Sequence, residues 1–225
     1  MAGVKLHEVE ERIDMAVARA GRRRSDVKLV AIGKSHPVET LREAYDLGQR
    51  VFGENRAQEL IAKAAGLPDD VDWHFVGHLQ RNKVRNVRPT VSLLHSMDSV
   101  RLGEAWVKGP GVAPPVLVEV NIGNEPQKPG IAVDDVEQIV DQLTSRGVEV
   151  RGVMAVPPVG SSAEDSRPYF RDLRALRDRL AAHNPGVVEL SMGMTDDFEV
   201  AIEEGSTLIR VGRAIFGPRI SQGTV

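Results

Sequence analysis

Eight short apolar runs rich in β-branched residues alternate along the chain with segments of helical periodicity. The runs cover 27–33, 50–53, 72–77, 91–96, 114–123, 148–156, 187–193 and 206–212. Between them lie helix-period segments at 38–48, 56–66, 79–88, 99–109, 134–147, 163–183 and 195–205. Such alternation implies parallel βαβ units. Eight units predict a closed (β/α)8 TIM barrel, and 225 residues lie within the range of that fold. An open doubly wound sheet is the alternative, but its G-x-G-x-x-G turn is absent after the first run. A helix at about 5–20 precedes the first strand and would cap or flank the barrel. Connections are short, so residues 1–225 read as one domain. The longest irregular stretch, 121–135, carries Pro126, Pro129 and Gly130 and reads as a mobile loop on the C-terminal side of strand five.

Composition removes several function classes. Aromatics make up 4% of the chain and the net charge is −3. Neither an aromatic stacking surface nor a general attraction to nucleic acid or anionic membranes fits. There is no cysteine, which excludes disulfides and thiolate metal sites. The N-terminal segment lacks the apolar core of a signal peptide, and no apolar run approaches a membrane span. The reading is a cytoplasmic protein without nucleic-acid or membrane partners. His74 and His78 are four apart, but H-E-x-x-H needs Glu where Phe75 stands. G-x-S-x-G at Ser191 fails because position 189 is Glu189. The basic stretches 21–26 and 81–88 read as solvated helix faces. The pairs Asp69-Asp70, Asp134-Asp135 and Asp196-Asp197 read as helix-start caps.

The stretch "VAIGKSHP" puts Lys34 directly after the first apolar run. Gly33-Lys34-Ser35 spells the end of a P-loop, but the first glycine of that motif would fall at position 28, which is Lys28. The C-terminal end of a barrel strand carries active-site residues. A lysine beside low-dielectric walls loses its proton more easily, as amine attack on an aldehyde requires. Position alone leaves a Schiff-base lysine and a solvated turn lysine both open.

Strand eight neighbours strand one in a closed barrel, and barrel phosphate sites often use the loops after strands seven and eight. Here those ends read "LSMGMTDD" and "IRVGRAIFG". They supply the hydroxyl of Ser191, a close-approach glycine at Gly193, a helix start near Thr195, and Gly212 and Arg213 at a second helix start. Arg210 lies two positions before Gly212, on the same strand face. A phosphate held there, with an aldehyde facing Lys34, is the layout that pyridoxal 5′-phosphate needs.

The stretches "AIGKSHP", "FGENRAQE", "WHFVGHLQRNK", "LLHSMDS", "VNIGNEPQKPG", "VRGVMAVPP" and "LSMGMTDDFEVAIEEGSTLIRVGRAIFG" together resemble the pyridoxal phosphate homeostasis protein family. That family is similar to the N-terminal barrel domain of alanine racemases. The match runs in order from about residue 5 to 219. The resemblance implies that Lys34 forms an internal aldimine with the cofactor and that Arg210 faces the pyridine nitrogen. It implies that Ser191, Gly212 and the backbone at Arg213 hold the phosphate, with Asn55 and His78 around the cofactor. Many relatives carry Ser or Thr at position 213, so the direction of the Arg213 guanidinium is a question for the structure.

A permanent cation at the ring nitrogen disfavours ring protonation and weakens the ring as an electron sink. Alanine racemases add a tyrosine from a second domain, and this sequence ends at Val225 without one. Its two tyrosines, Tyr45 and Tyr169, fall in helix-period segments. The expectation is therefore a non-catalytic carrier in vitamin B6 homeostasis. It would be a monomer or weak homodimer that supplies the cofactor to apo-enzymes. The alternative is a cofactor-dependent enzyme with weak amino-acid racemase activity. A protein-binding scaffold, for which Lys34 would be dispensable, is a third class.

Overall fold

The computed structural model describes residues 4–109 and 111–218. Helix α1 (Leu6–Arg19) comes first, followed by β1 (Lys28–Ile32), α2 (Val38–Asp46), β2 (Val51–Glu54), α3 (Ala57–Ala64) and β3 (Asp72–Phe75). The chain continues through α4 (Val84–Val87), β4 (Leu93–Met97), α5 (Val100–Val107), β5 (Val116–Asn121), β6 (Ile131–Ala132) and α6 (Val136–Ser145). It closes with β7 (Val150–Ala155), α7 (Arg167–His183), β8 (Glu189–Ser191), α8 (Phe198–Glu203), β9 (Leu208–Val211) and α9 (Arg213–Phe216). All strand pairs are parallel. The order β4-β3-β2-β1-β9-β8-β7-β5 is closed by a β4–β5 pairing, which makes an eight-stranded barrel. Closure of a parallel sheet leaves no strand edge in the ring.

Alternation along each strand divides the side chains between two cores. Outward residues such as Ala31, Phe52, Leu94, Val116 and Val153 join the large core under the helices. Inward residues Val30, Leu93, Leu117, Met154 and Leu208 form a separate apolar cluster in the lumen. Two positions further toward the C-terminal end, the same inward face turns polar on three strands. Leu93 is followed by His95, Leu117 by Glu119 and Leu208 by Arg210. The apolar cluster thus plugs the lumen, and a polar floor faces the C-terminal mouth.

Helix α1 flanks the barrel rather than capping it. Its buried stripe is Leu6, Val9, Ile13, Ala16 and Val17, the i, i+3, i+4, i+7 pattern of an amphipathic helix. It packs on α8, where Arg12 pairs with Glu199 at 2.7 Å and lies 4.5 Å over the Phe198 ring. Just before it, the Lys5 N–H donates to the Ile215 carbonyl of α9 (2.9 Å).

Three local expectations change. The segment 79–88 forms a 3₁₀ turn (Arg81–Lys83) and a single α turn, and its Arg88 is buried. The stretch 121–135 contains β6, a ninth strand that adds to the edge of β5 opposite β7. That stretch is tied back on itself. Asn121 donates to the Glu125 carbonyl (2.8 Å) and accepts from the Glu125 N–H (3.0 Å), and Lys128 donates to the Pro157 carbonyl (3.0 Å). Finally, no side-chain cap bond is found for Asp135 at α6 or Asp197 at α8. The Asp197 carboxylate instead accepts from the Met194 N–H (2.7 Å) and the Ser166 hydroxyl (2.9 Å), so it fixes the loop leaving β8.

Candidate functional site

Lys34 sits in the turn that leaves β1, half-buried at the C-terminal mouth. The next residue, Ser35, has φ +63°, a left-handed conformation that is uncommon for a residue with a Cβ. A buried ion cluster holds this turn from behind. Lys63 Nζ donates to the Gly33 carbonyl (2.9 Å), to Glu54 Oε1 (2.6 Å) and to Glu59 Oε2 (3.0 Å), and Glu59 in turn accepts from the Ser35 N–H (2.9 Å). Glu54 is fully buried, and burial pushes its carboxyl up, against the pull of Lys63. Backbone on both sides of Lys34 is therefore tied to one ammonium group. His36 is buried two residues on and packs 5.4 Å from the Phe216 ring of α9, linking this turn to the end of the barrel.

Asn55 follows β2, and its Oδ1 is buried without a hydrogen-bond partner among the described residues. A buried acceptor left open in a mouth is a cost unless a ligand donates to it. His78 follows β3. It is exposed, and its Nδ1 lies 3.0 Å from Asp98 after β4. Asp98 stands near Glu119 of β5. Burial first, then the Asp98 charge, raises the Glu119 carboxyl to about 7, against the opposing charges of Arg210 and His78.

Arg210 is buried in β9 with two neutral acceptors. Nη1 donates to Ser191 Oγ (2.5 Å) and Nη2 to the Ala155 carbonyl (3.0 Å). Among the described residues no carboxylate lies within salt-bridge distance of it. Burial lowers its guanidinium to about 10, partly offset by the charges of Glu119 and Asp197, so it stays cationic at neutral pH. The Ser191 hydroxyl also lies 2.8 Å from His95 Nδ1, and His95 Nε2 lies 2.9 Å from His74 Nδ1. Ser191 is fully buried and its hydroxyl is engaged by Arg210 and His95. This geometry makes it a support for Arg210.

The loop after β8 carries a second hydroxyl. Thr195 Oγ1 lies 3.4 Å from the Ala214 N–H, in the first turn of α9. Gly193 has φ +91°, and a Cβ there would meet Ala201 Cβ at 2.5 Å, so only glycine fits. Gly212 starts α9 close against the Ile32 carbonyl, which a Cβ would meet at 3.0 Å. First-turn N–H groups have no intrahelical partner and suit an anion. The Arg213 guanidinium turns outward, where it is exposed and paired with Asp196. Position 213 thus offers its backbone to the turn, and its side chain faces solvent.

Lys34, Asn55, His78, Arg210, Gly212 and Arg213 all lie at or just beyond the C-terminal ends of their strands. Residue-type reasoning passed over Lys63, Glu119, Asp98 and His36. The two carboxylates of the mouth sit in runs that read as plain strand and turn. Tyr45 lies at the far end of the barrel, where its hydroxyl donates to Asp70 (2.7 Å) and Arg50 covers its ring at 3.9 Å. Tyr169 of α7 packs against the outer core.

The model of the alanine racemase N-terminal domain matches residues 4–220. A protein of Aquifex aeolicus named pyridoxal phosphate homeostasis protein is 43% identical over 221 residues, covering 96% of this chain and 97% of its own length. The chain belongs to the pyridoxal phosphate homeostasis protein family. Another relative of that fold, PipY of Synechococcus elongatus, has been solved both without and with PLP. The PLP-free structure aligns with a TM-score of 0.82 at 38% identity, covering 93% of this chain and all of that one. The PLP-bound structure aligns at 0.75 and 35%, with the same coverage. For this family member the donor set fits such a group: an amine, an open amide acceptor, a buried cation and a glycine-lined helix start ring one mouth. Among the described residues no helix is long and apolar enough to cross a membrane, and no cluster of three or more metal-ligating side chains occurs.

Proposed function

We propose that this chain is a pyridoxal 5′-phosphate carrier that holds the cofactor at the barrel mouth and passes it to apo-enzymes. The chain binds pyridoxal phosphate and belongs to vitamin B6 homeostasis. The observation that carries the placement is Arg210, a buried cation given only a hydroxyl and a carbonyl among the described residues. It stands one strand away from the Lys34 turn. In this reading the Lys34 amine captures the aldehyde, and the Arg210 guanidinium donates to the ring nitrogen. The phosphate rests on the N–H groups that begin α9, beside Gly212, Arg213 and Thr195. Asn55 and His78 flank the ring. Ser191 acts from beneath, through Arg210.

The bound group supplies an aldehyde and a conjugated ring. The protein's own contribution is to hold and shield it. Arg210 remains charged at neutral pH, so it opposes protonation of the ring nitrogen. Neither tyrosine reaches the mouth to act as a second base. These features support storage and delivery over racemisation. One barrel domain then does the work in the cytoplasm, as a monomer or weak homodimer.

The test is the visible absorbance of the protein with added pyridoxal phosphate, beside Lys34→Ala, followed by borohydride trapping and peptide mass analysis. A band that is absent in the variant, with the label on Lys34, is expected. Absence of a band in the unmodified protein would overturn the binding reading. Rapid racemisation of amino acids by the loaded protein would overturn the carrier reading. Transfer of the cofactor to an apo-enzyme, faster than from free solution at equal total cofactor, tests delivery.

A further inference from the structure

Five polar side chains run through the barrel from its N-terminal rim to Arg210. Asp72 begins β3 and is partly exposed, with Lys28 at 3.9 Å and the Ser92 hydroxyl bonded to it. His74 is next on the inward face of β3, and its Nε2 lies 3.6 Å from Asp72 Oδ2. Then come His95 on β4, Ser191 on β8 and Arg210 on β9, linked at 2.9, 2.8 and 2.5 Å. His74, His95, Ser191 and Arg210 are all buried.

The ends of this row decide its direction. Arginine can only donate, and an ionised carboxylate can only accept. Burial pushes Asp72 up, but its polar neighbours, among them the Ser92 hydroxyl and Lys28, outweigh it and leave the carboxyl at about 2. It is an anion at neutral pH. His95 is fully enclosed, and burial, with the charge of Arg210, holds it well below its ordinary value, so the ring is neutral. A neutral imidazole has one N–H and one open nitrogen. Ser191 accepts from Arg210 and turns its own hydrogen to His95 Nδ1. His95 must then carry its proton on Nε2 and donate to His74 Nδ1. His74 is left with its proton on Nε2, facing Asp72. A separation of 3.6 Å is beyond a direct hydrogen bond. It is still close enough for the carboxylate to select that nitrogen. With His74 neutral, the reverse order would put a lone pair of His74 against the Asp72 carboxylate.

We infer that Asp72, His74, His95 and Ser191 form a one-way hydrogen-bond chain that orients the Arg210 guanidinium from the opposite rim, making Asp72 a remote positioning residue for the ligand site. The ligand part of this inference rests on the proposed binding of pyridoxal phosphate. The chain itself does not. A row in which each donor has one acceptor leaves Arg210 a single orientation.

Long-range proton–nitrogen NMR of the histidine rings in the cofactor-free protein at neutral pH tests the chain, with His74→Gln and His95→Gln for assignment. Both rings should be neutral Nε2–H tautomers. A charged ring or an Nδ1–H tautomer at either position would overturn the chain. In Asp72→Asn, whose amide can donate as well as accept, His74 and His95 should lose their single tautomer. Cofactor affinity should fall about fivefold, the size of one modest hydrogen bond, with a shift in the bound absorbance maximum. Unchanged tautomers, affinity and spectrum in that variant would remove Asp72 from the positioning role. Should Asp72→Asn not fold, Ser191→Ala keeps the test open. His74, still set by Asp72, should keep His95 as the Nε2–H tautomer while cofactor affinity falls, and an Nδ1–H form at either ring would count against the chain. Failure of the unmodified protein to bind the cofactor would sink the binding reading while leaving the ring tautomers to decide the chain.

Discussion

Lys63 and Glu119 show how single buried charges act on either side of the mouth. Lys63 neutralises Glu54, which is fully buried, and ties down the Gly33 carbonyl before Lys34. Removing one partner of a buried pair costs about 3–5 kcal/mol, because the other is left charged and unpaired. Lys63→Met should lower stability by that order in urea denaturation and weaken cofactor binding through the loosened turn. The loss should shrink as pH falls, since protonation neutralises Glu54. Glu119 gives the same trend in the unmodified protein. Its carboxyl stands at about 7 when folded, above the ordinary 4.5. Between those values the folded form keeps a proton that the unfolded chain releases, so stability falls as pH rises through the window, by about 3 kcal/mol in all. Glu119→Gln should flatten the stability profile between pH 5 and pH 7, read as urea midpoints. Lys34 and Arg210 were legible because strand ends announce themselves. His95 and Glu119 were not, since a strand pattern marks alternation but does not label which alternate set faces the lumen.

At the scale of elements, eight strands were readable because β-branched runs bounded by glycine leave little choice. The helix expected over 79–88 was misjudged. A run with few apolar anchors folds to a 3₁₀ turn and one α turn, pinned by Val84 and Val87. The two-residue β6 was invisible, as a strand that short exists only through its partner β5. Strand contacts also depend on small residues that carry no periodic signal. A Cβ at Gly152 on β7 would collide with the Glu189 carbonyl of β8. Gly152→Ala should therefore force the two strands apart and cost about 1–3 kcal/mol. A drop in melting temperature by several degrees would check it, and an unchanged value would mean that the strands slide freely.

Over the whole molecule, ring closure joins β4 to β5 and β9 to β1, contacts that no local pattern encodes. Counting units suggested closure, and only packing could supply it. The same holds for α1. Its amphipathic stripe was plain, but its seat on α8 was not. Ile13 is fully buried there, so Ile13→Ala should cost about 2–5 kcal/mol. Arg12→Ala should cost about 1 kcal/mol in urea denaturation, since its ion pair with Glu199 is still partly open to solvent. The bond from the Lys5 N–H to the Ile215 carbonyl has a wider consequence. It brings the start and finish of the barrel together, so the order of units along the chain is a matter of bookkeeping rather than architecture. Joining the two ends with a short glycine-serine linker and opening the exposed turn at Gly147 should give a circular permutant with the same circular dichroism and the same cofactor band. The barrel would then be a ring in topology as well as in shape, readable from more than one starting point.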